Sequence, residues 1–233
     1  MSCPKCHDTG YIEDRANSTF NNWCDCPIGQ KTYVENWIQK LERAEIPSEF
    51  WTLKYNDFCP QPGFTSHMDF RRTLESFLKN IKDHRRDGTI WLICGESGVG
   101  KTLGGALVLK QALKKDFSAK YVVWTDIIDA TLRDHDRDVL EDLRDVDFLV
   151  IDDLGNDKIN NNRGSNFASD LLEKIIKPRY SNKKPTILIS AMLEGLSEKF
   201  PILPRMVPRE WCSLVKGVSF RTNKLNLPPT NQI

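Results

Sequence analysis

The fold of this 233-residue chain is decided by one glycine-rich stretch, Gly95-Glu96-Ser97-Gly98-Val99-Gly100-Lys101-Thr102. It follows the apolar run 90–94 and precedes a segment in which apolar residues recur at spacings of three and four: Leu103, Ala106, Leu109 and Leu113. This spacing predicts a helix. Strand, then G-x-x-x-x-G-K-T, then helix is the context of a phosphate-binding loop. The alternative is a glycine turn that only begins a helix.

The residues of this loop have separate predicted roles. Its glycines let backbone N–H groups turn toward phosphate oxygens, and the following helix N-terminus adds positive potential. Lys101 is expected to reach the β- and γ-phosphates, and the Thr102 hydroxyl is expected to ligate Mg²⁺. The whole stretch from Gly95 to Thr102 is therefore a candidate nucleotide site.

A second acidic motif follows later in the chain, where the apolar run 148–151 leads into Asp152 and Asp153. A buried parallel strand that ends in an acid is how such folds place the carboxylate associated with Mg²⁺. Asp153 would then orient or deprotonate the attacking water. A solvated Asp-Asp turn is the alternative.

Five apolar runs predict an α/β fold with a parallel five-stranded sheet in the order 5-1-4-3-2 and helices on both faces. The predicted strands are 90–94, 120–125, 148–153, 186–190 and 213–220, and the predicted helices include 29–46, 68–84 and 167–180. Residues 156–166 are predicted to form a loop beside the active site. Ser190 ends the fourth strand, where it either caps that strand or contacts the γ-phosphate or the water.

The first 30 residues form a separate predicted unit because they carry two cysteine pairs, Cys3 with Cys6 and Cys24 with Cys26. Four thiolates in two local pairs suit a closed tetrahedral Zn²⁺ site, with adjacent His7 as a substitute ligand. Unliganded cysteines in a loose tail are the alternative. The predicted division is a zinc module at 1–30, a helical linker region at 31–62, and a nucleotide-binding core without a full lid at 63–233.

Composition restricts the partners only loosely. Lys and Arg number 33 against 32 Asp and Glu, so net charge does not predict nucleic-acid binding. The sequence lacks an apolar run of the ~18 residues that a transmembrane helix needs, and no signal peptide is evident. Beside an intracellular ATP site, the seven cysteines are expected to be reduced or metal-bound.

With these motifs in place, residues 45–222 resemble the bacterial helicase-loader branch of the AAA+ ATPases, the DnaC/DnaI type, to which the transposition helper IstB is close. The resemblance rests on the phosphate loop, Phe148–Gly155, Ile46-Pro47, the two arginines Arg205 and Arg209, and 217–221. The cysteine-rich front end, with Asp8-Thr9-Gly10, resembles zinc modules of phage and plasmid-type loaders.

The resemblance implies a role for several single residues. Asp152 is implied to be the Mg²⁺-linked Walker B acid and Asp153 the catalytic carboxylate. Arg209 is implied to be an arginine finger that acts on a neighbouring subunit, with Arg205 beside it, although surface arginines are commonly only solvated. This branch usually carries Asn after the fourth strand, where Ala191 stands here. Hydrolysis is therefore expected to be slow, unless Ser190 substitutes.

The implied function is an ATPase that loads a hexameric replicative helicase onto single-stranded DNA in the cytoplasm of a bacterium, encoded by the cell or by a phage. ATP, Mg²⁺ and Zn²⁺ are the implied cofactors, the N-terminal module is implied to bind the helicase, and a ring or spiral of identical subunits is implied. The alternatives are an IstB-type helper, a nucleotide-gated DNA-binding adaptor with little hydrolysis, and a small-molecule P-loop kinase. The zinc module disfavours the helper, and the Asp-Asp strand end disfavours the kinase.

Overall fold

The computed structural model describes residues 2–12, 23–132, 136–156, 166–192, 194–217 and 219–220. The chain forms two compact units, Met1–Arg43 and Ala44–Ile233. This division differs from the predicted boundaries at residues 30 and 62. Helix α1 (Pro27–Arg43) belongs to the first unit, and its Gly29 lies against the backbone of Cys24 with no room for a side chain.

The second unit alternates strands and helices. Its strands are β1 (Ile90–Gly95), β2 (Ala119–Val123), β3 (Phe148–Asp152), β4 (Thr186–Ser190) and β5 (Cys212–Val215). Its helices are α2 (Thr65–Lys79), α3 (Ile81–Asp87), α4 (Lys101–Lys114), α5 (Trp124–Leu132), α6 (Asp136–Asp145), α7 (Phe167–Ser181), α8 (Leu196–Lys199) and α9 (Leu203–Met206).

The sheet has the order β2-β3-β4-β1-β5, and all of its pairings are parallel. The predicted fold class and strand order are confirmed. Strands β3 and β4 are buried along their whole length, as expected for central strands covered on both faces. Because all strands run the same way, the segments that follow β1, β3 and β4 meet at one edge of the sheet.

Alternate residues of the strands face two separate layers. Leu92, Ile151 and Leu188 belong to a core cluster that also contains residues of α5 and α7. On the opposite parity, Val150 and Ile189 lie against Gly105 of α4. The helices therefore cover both faces of the sheet, and α4 packs on the face to which Val150 and Ile189 belong.

Two predicted elements differ from the structure. The helix predicted at 68–84 is two helices, α2 and α3, which meet at Asn80. The Asn80 side chain donates to the carbonyl of Ser76 and so competes with the helical hydrogen bonds. The last strand is shorter than predicted, since the chain leaves the sheet after Val215 and the N–H of Phe220 donates to the Gly98 carbonyl at 2.9 Å.

Among the described residues, no helix combines the length and the apolar character that crossing a lipid bilayer requires. Arg221 and most of the predicted loop at 156–166 lie outside the described residues.

Candidate nucleotide site

The glycine-rich stretch forms a tight turn between β1 and α4. Gly98 and Gly100 have φ angles of 82° and 92°, which a side chain would strain. A Cβ on Gly98 would lie 2.0 Å from Ser219 Oγ, and one on Gly100 would lie 2.5 Å from the ring of Phe58. Glycine is therefore required at both positions by conformation and by space.

The ammonium of Lys101 lies inside this turn. Its Nζ donates to the carbonyls of Gly95 at 2.9 Å and Glu96 at 2.6 Å, and the residue is 7% exposed. These bonds hold a positive charge within the loop, beside the N-terminus of α4. An anion is attracted to this point by both the ammonium and the helix N–H groups.

Asp152 is fixed at the carboxyl end of β3 by two hydrogen bonds. Its Oδ2 accepts from the Tyr121 hydroxyl at 2.6 Å, and its Oδ1 accepts from the backbone N–H of Asp153 at 2.8 Å. Burial, followed by the charge of Asp152, raises the pKa of Tyr121, so this hydroxyl remains a donor. Asp152 itself is 4% exposed.

Asp153 is exposed and has a φ of 53°, an uncommon conformation for a residue other than glycine. Such backbone strain concentrates at functional sites. Asp152 is buried and Asp153 is exposed, so the two acids have different environments. One is a buried and oriented carboxylate, and the other faces solvent at the mouth of the site.

These groups surround one cleft of about 560 Å³. Its lining residues come from the segment 47–53, the glycine-rich loop, the start of α4, β2, the end of β3 with the residue after it, the residue after β4, and the segment that follows β5: Pro47, Glu49, Phe50, Leu53, Ser97, Gly98, Gly100, Lys101, Thr102, Leu103, Tyr121, Asp152, Asp153, Ala191 and Phe220. The structure thus brings Lys101, Thr102 and both acids to one cleft. Thr102 and Asp152 offer the oxygen ligands that suit Mg²⁺.

Sequence reasoning did not identify Tyr121 or the segment 47–53 as part of this cleft. Tyr121 stands in an apolar run that only indicated a strand, and its partner Asp152 belongs to a neighbouring strand. The Ile46-Pro47 stretch was noticed only through its family resemblance. Within the sequence, no local pattern links that stretch to the phosphate loop.

Among known proteins, only solved structures show a likeness to this chain. No family model matches the sequence, and no curated protein matches it. The solved structure of the DnaC helicase loader matches with a TM-score of 0.60 at 21% identity, over 73% of this chain and 100% of that chain. DnaI matches with a TM-score of 0.58 at 19% identity, over 73% and 93%.

A third match is the replication initiator DnaA bound to AMPPCP and single-stranded DNA, with a TM-score of 0.53 at 18% identity, over 73% of this chain and 50% of that chain. The chain shares its fold with the solved structures of DnaC and DnaI. The resemblance drawn from the sequence is thereby confirmed as a likeness of fold.

At the end of β4, the Ser190 side chain forms capping bonds, which are one of its two predicted roles. The Ser190 hydroxyl donates to the Leu154 carbonyl at 2.7 Å and accepts the N–H of Met192 at 3.0 Å. The first bond joins the turns that follow β3 and β4, and the second closes the turn after β4, which is a capping role. Ala191 lines the cleft and presents only a methyl group there.

The two candidate finger arginines lie apart from this cleft. Arg205 belongs to α9 and Arg209 begins the 3₁₀ turn Arg209–Trp211; both side chains are exposed. Neither lines the cleft, in which Lys101 is the only basic residue among those described. Within one chain, the described residues therefore provide the cleft with no arginine.

The four N-terminal cysteines converge in the first unit, with their sulfur atoms all within 4.8 Å of one another. Cys3 Sγ lies 3.7 Å from Cys24 Sγ, and Cys6 Sγ lies 3.7 Å from Cys26 Sγ. A tetrahedral zinc with Zn–S bonds of about 2.3 Å needs sulfur separations of about 3.8 Å, so the thiols fit this metal. His7 is exposed in the intervening turn and is not part of the cluster.

Proposed function

We propose that the protein is an ATP-dependent loader that places a replicative DNA helicase on single-stranded DNA in a bacterial cytoplasm. The observation that carries this proposal is the cleft. Lys101, Thr102 and the acids that end β3 converge there, in a fold shared with the DnaC helicase loader.

The proposed chemistry follows from the positions of these groups. The loop N–H groups and Lys101 bind the β- and γ-phosphates, and Thr102 and Asp152 hold Mg²⁺. The metal ion, when bound, neutralises charge on the phosphate oxygens. Exposed Asp153 orients or deprotonates the attacking water. Arg209 of a neighbouring subunit, with Arg205 beside it, supplies the missing cation.

The cysteine-rich unit has a separate proposed role. Four thiolates leave a zinc ion no open coordination position, so the metal is structural. We assign to this unit the contact with the hexameric helicase, and to the AAA+ core the binding of ATP and single-stranded DNA. Assembly of several subunits into a ring or spiral completes the sites.

Nucleotide binding and hydrolysis are separable by mutation. Lys101→Ala removes the cation that contacts the phosphates, and it should weaken ATP binding and abolish turnover. Asp153→Asn keeps the shape and removes the base, so ATP should still bind while hydrolysis falls by about 10²-fold or more. Wild-type turnover in Asp153→Asn would exclude this residue as the catalytic carboxylate.

The partner is tested by pull-down from purified components. Tagged protein with ATP is offered a hexameric replicative helicase and, separately, a transposase, each with single-stranded DNA present. Retention of the helicase alone supports the loader. Retention of the transposase alone supports the IstB-type helper instead.

A specific observation favours one second candidate, a nucleotide-gated adaptor that scarcely hydrolyses ATP. Ala191 lines the cleft and has no group that can bind a water or a phosphate, and the Ser190 hydroxyl is engaged with Leu154. Helicase binding that depends on ATP, together with no measurable turnover in the presence of helicase and DNA, would favour the adaptor. Ala191→Asn should raise turnover in the loader.

A further inference from the structure

Lys110 of α4 is a buried lysine whose ammonium contacts backbone only. Its Nζ donates to the carbonyls of Phe50 at 2.8 Å, Trp51 at 2.7 Å and Leu53 at 2.6 Å. Three acceptors use all three donors of an ammonium. The residue is 7% exposed.

The carbonyls of Phe50 and Trp51 lie at the end of the 3₁₀ turn Ser48–Phe50, and the carbonyl of Leu53 lies beyond it. The last carbonyls of a helical turn have no partner within it, and a cation placed there satisfies them. Burial lowers the pKa of Lys110 to about 8, with Lys114 and Lys54 acting in the same direction and Asp57 against them. A buried cation is costly unless it is hydrogen-bonded, so this contact is a specific one.

The segment held by Lys110 forms one wall of the nucleotide cleft. Pro47, Glu49, Phe50 and Leu53 all line that cleft, together with residues of the glycine-rich loop. Because Lys110 holds the carbonyls of Phe50 and Leu53 themselves, it fixes the backbone from which two of these side chains project. Loss of the ammonium would free the wall without removing any side chain from the cleft.

Lys110 is distant from the phosphate loop. Lys101 and Lys110 are nine residues apart on α4, which is about 13 Å along a helix. A change at Lys110 therefore leaves the loop, Asp152 and Asp153 in place. Its effect is expected on the part of the nucleotide that contacts the wall and not on the reacting phosphate.

We propose that Lys110 is a positioning residue that sets nucleotide affinity by clamping the cleft wall 47–53 to the helix that carries the phosphate loop. This inference rests on the proposed function, because it assumes that the cleft binds ATP. It concerns affinity, so it separates from the roles of Lys101 and Asp153 in hydrolysis.

The test compares Lys110→Met, which keeps the length and loses the donors, with Lys115→Met, an exposed lysine just beyond the same helix. Equilibrium binding of ADP and ATP, ATP turnover at saturation, and amide hydrogen exchange are measured on the full chain. Lys110→Met should raise the dissociation constants by about tenfold and change kcat by less than about twofold. The amides of Phe50 and Trp51 should exchange faster.

Lys110→Gln retains an amide donor and should show a smaller loss of affinity. It is measured beside Lys110→Met and replaces that variant if the methionine protein is too unstable to purify. Affinity equal to that of Lys115→Met overturns the inference, and so does a loss of kcat at unchanged affinity. Absence of nucleotide binding by the wild-type chain overturns the proposed function instead.

Discussion

At the scale of single residues, the acid that is proposed to hold Mg²⁺ depends on a hydroxyl from a neighbouring strand. Tyr121 donates to Asp152 Oδ2 at 2.6 Å and is itself buried. Groups that orient a metal ligand from behind commonly change metal affinity when they are lost. Tyr121 therefore belongs to the site although it has no expected contact with the nucleotide phosphates.

Tyr121→Phe keeps the ring and removes only this hydrogen bond. The Mg²⁺ concentration for half-maximal ATP hydrolysis should rise by about tenfold, because the carboxylate is no longer held in one orientation. A magnesium titration of turnover measures this, with Tyr180→Phe, at an exposed tyrosine of α7, as the control. An unchanged magnesium dependence in Tyr121→Phe would show that Asp152 is oriented without it.

Single residues also show how far the sequence could lead. The roles proposed for Lys101 and Thr102 could be read locally, because the chemistry of a phosphate loop lies within one short stretch. Tyr121, Lys110 and Arg179 could not be predicted. Each acts on backbone or side chains more than 30 positions away, and only the folded chain brings those partners together.

At the scale of elements, Arg179 joins the C-terminal ends of α6 and α7 to the N-terminal ends of β3 and β4. This fully buried arginine donates to the carbonyls of Leu143, Val146 and Pro185 at 2.7–2.8 Å and to Thr186 Oγ1 at 2.8 Å. Burial lowers its pKa to about 9. Its guanidinium donates to these buried chain ends from one point, and the Pro185 carbonyl also accepts the N–H of Leu149 at 3.2 Å.

Arg179→Met should lower the free energy of unfolding by about 3 kcal/mol or more, since each buried carbonyl left without a donor costs roughly 1–3 kcal/mol. Arg72→Met, which removes an exposed arginine paired with Asp69, should cost less than about 1 kcal/mol. Urea unfolding of both variants gives the comparison. Equal stability of the two would mean that water or neighbouring groups replace the Arg179 donors.

The cysteine cluster is the second element whose role can be tested alone. Cys3→Ser with Cys6→Ser removes two of the four thiolates, so the proposed zinc ion should no longer bind. Without the metal, the N-terminal unit should unfold and should no longer bind the helicase. ATP binding by the core should persist. Elemental analysis of wild-type protein purified without chelator checks the metal, and its absence there would contradict the zinc site.

The matched control for this pair is Cys59→Ser with Cys212→Ser, two exposed cysteines of the other unit. These changes should leave the zinc content and helicase binding as they were. If the Cys3 and Cys6 variant still binds the helicase, then helicase binding does not depend on the metal. The contact with the helicase would then lie elsewhere on the chain.

Across elements, the parallel sheet was the most predictable part of the fold. Buried strands such as β3 and β4 are continuous apolar runs, and their ends are marked by Asp152 and Ser190. The division of the helix at Asn80 and the early end of β5 were not predicted. Both depend on hydrogen bonds made outside the periodic pattern, at Ser76 and at Gly98.

At the scale of the whole molecule, one chain supplies the described part of the cleft with a single basic residue, Lys101. Charge that develops on the γ-phosphoryl group needs a further donor, and a planar guanidinium suits two phosphate oxygens at once. Arg209 is exposed and lies outside the cleft of its own chain. We expect it to act on the ATP of the next subunit.

Arg209→Ala should therefore bind ATP about as wild type does, yet lose ATP-dependent assembly and about 10³-fold in turnover. Sedimentation with and without ATP measures the assembly.

The decisive experiment mixes Arg209→Ala with Lys101→Ala, because each can supply what the other lacks. Hydrolysis should reappear at interfaces where an intact Lys101 site faces an intact Arg209. If Arg205→Ala loses turnover while Arg209→Ala keeps it, the finger is Arg205. Turnover per chain that is independent of concentration and of both arginines would mean that each site is complete within one subunit.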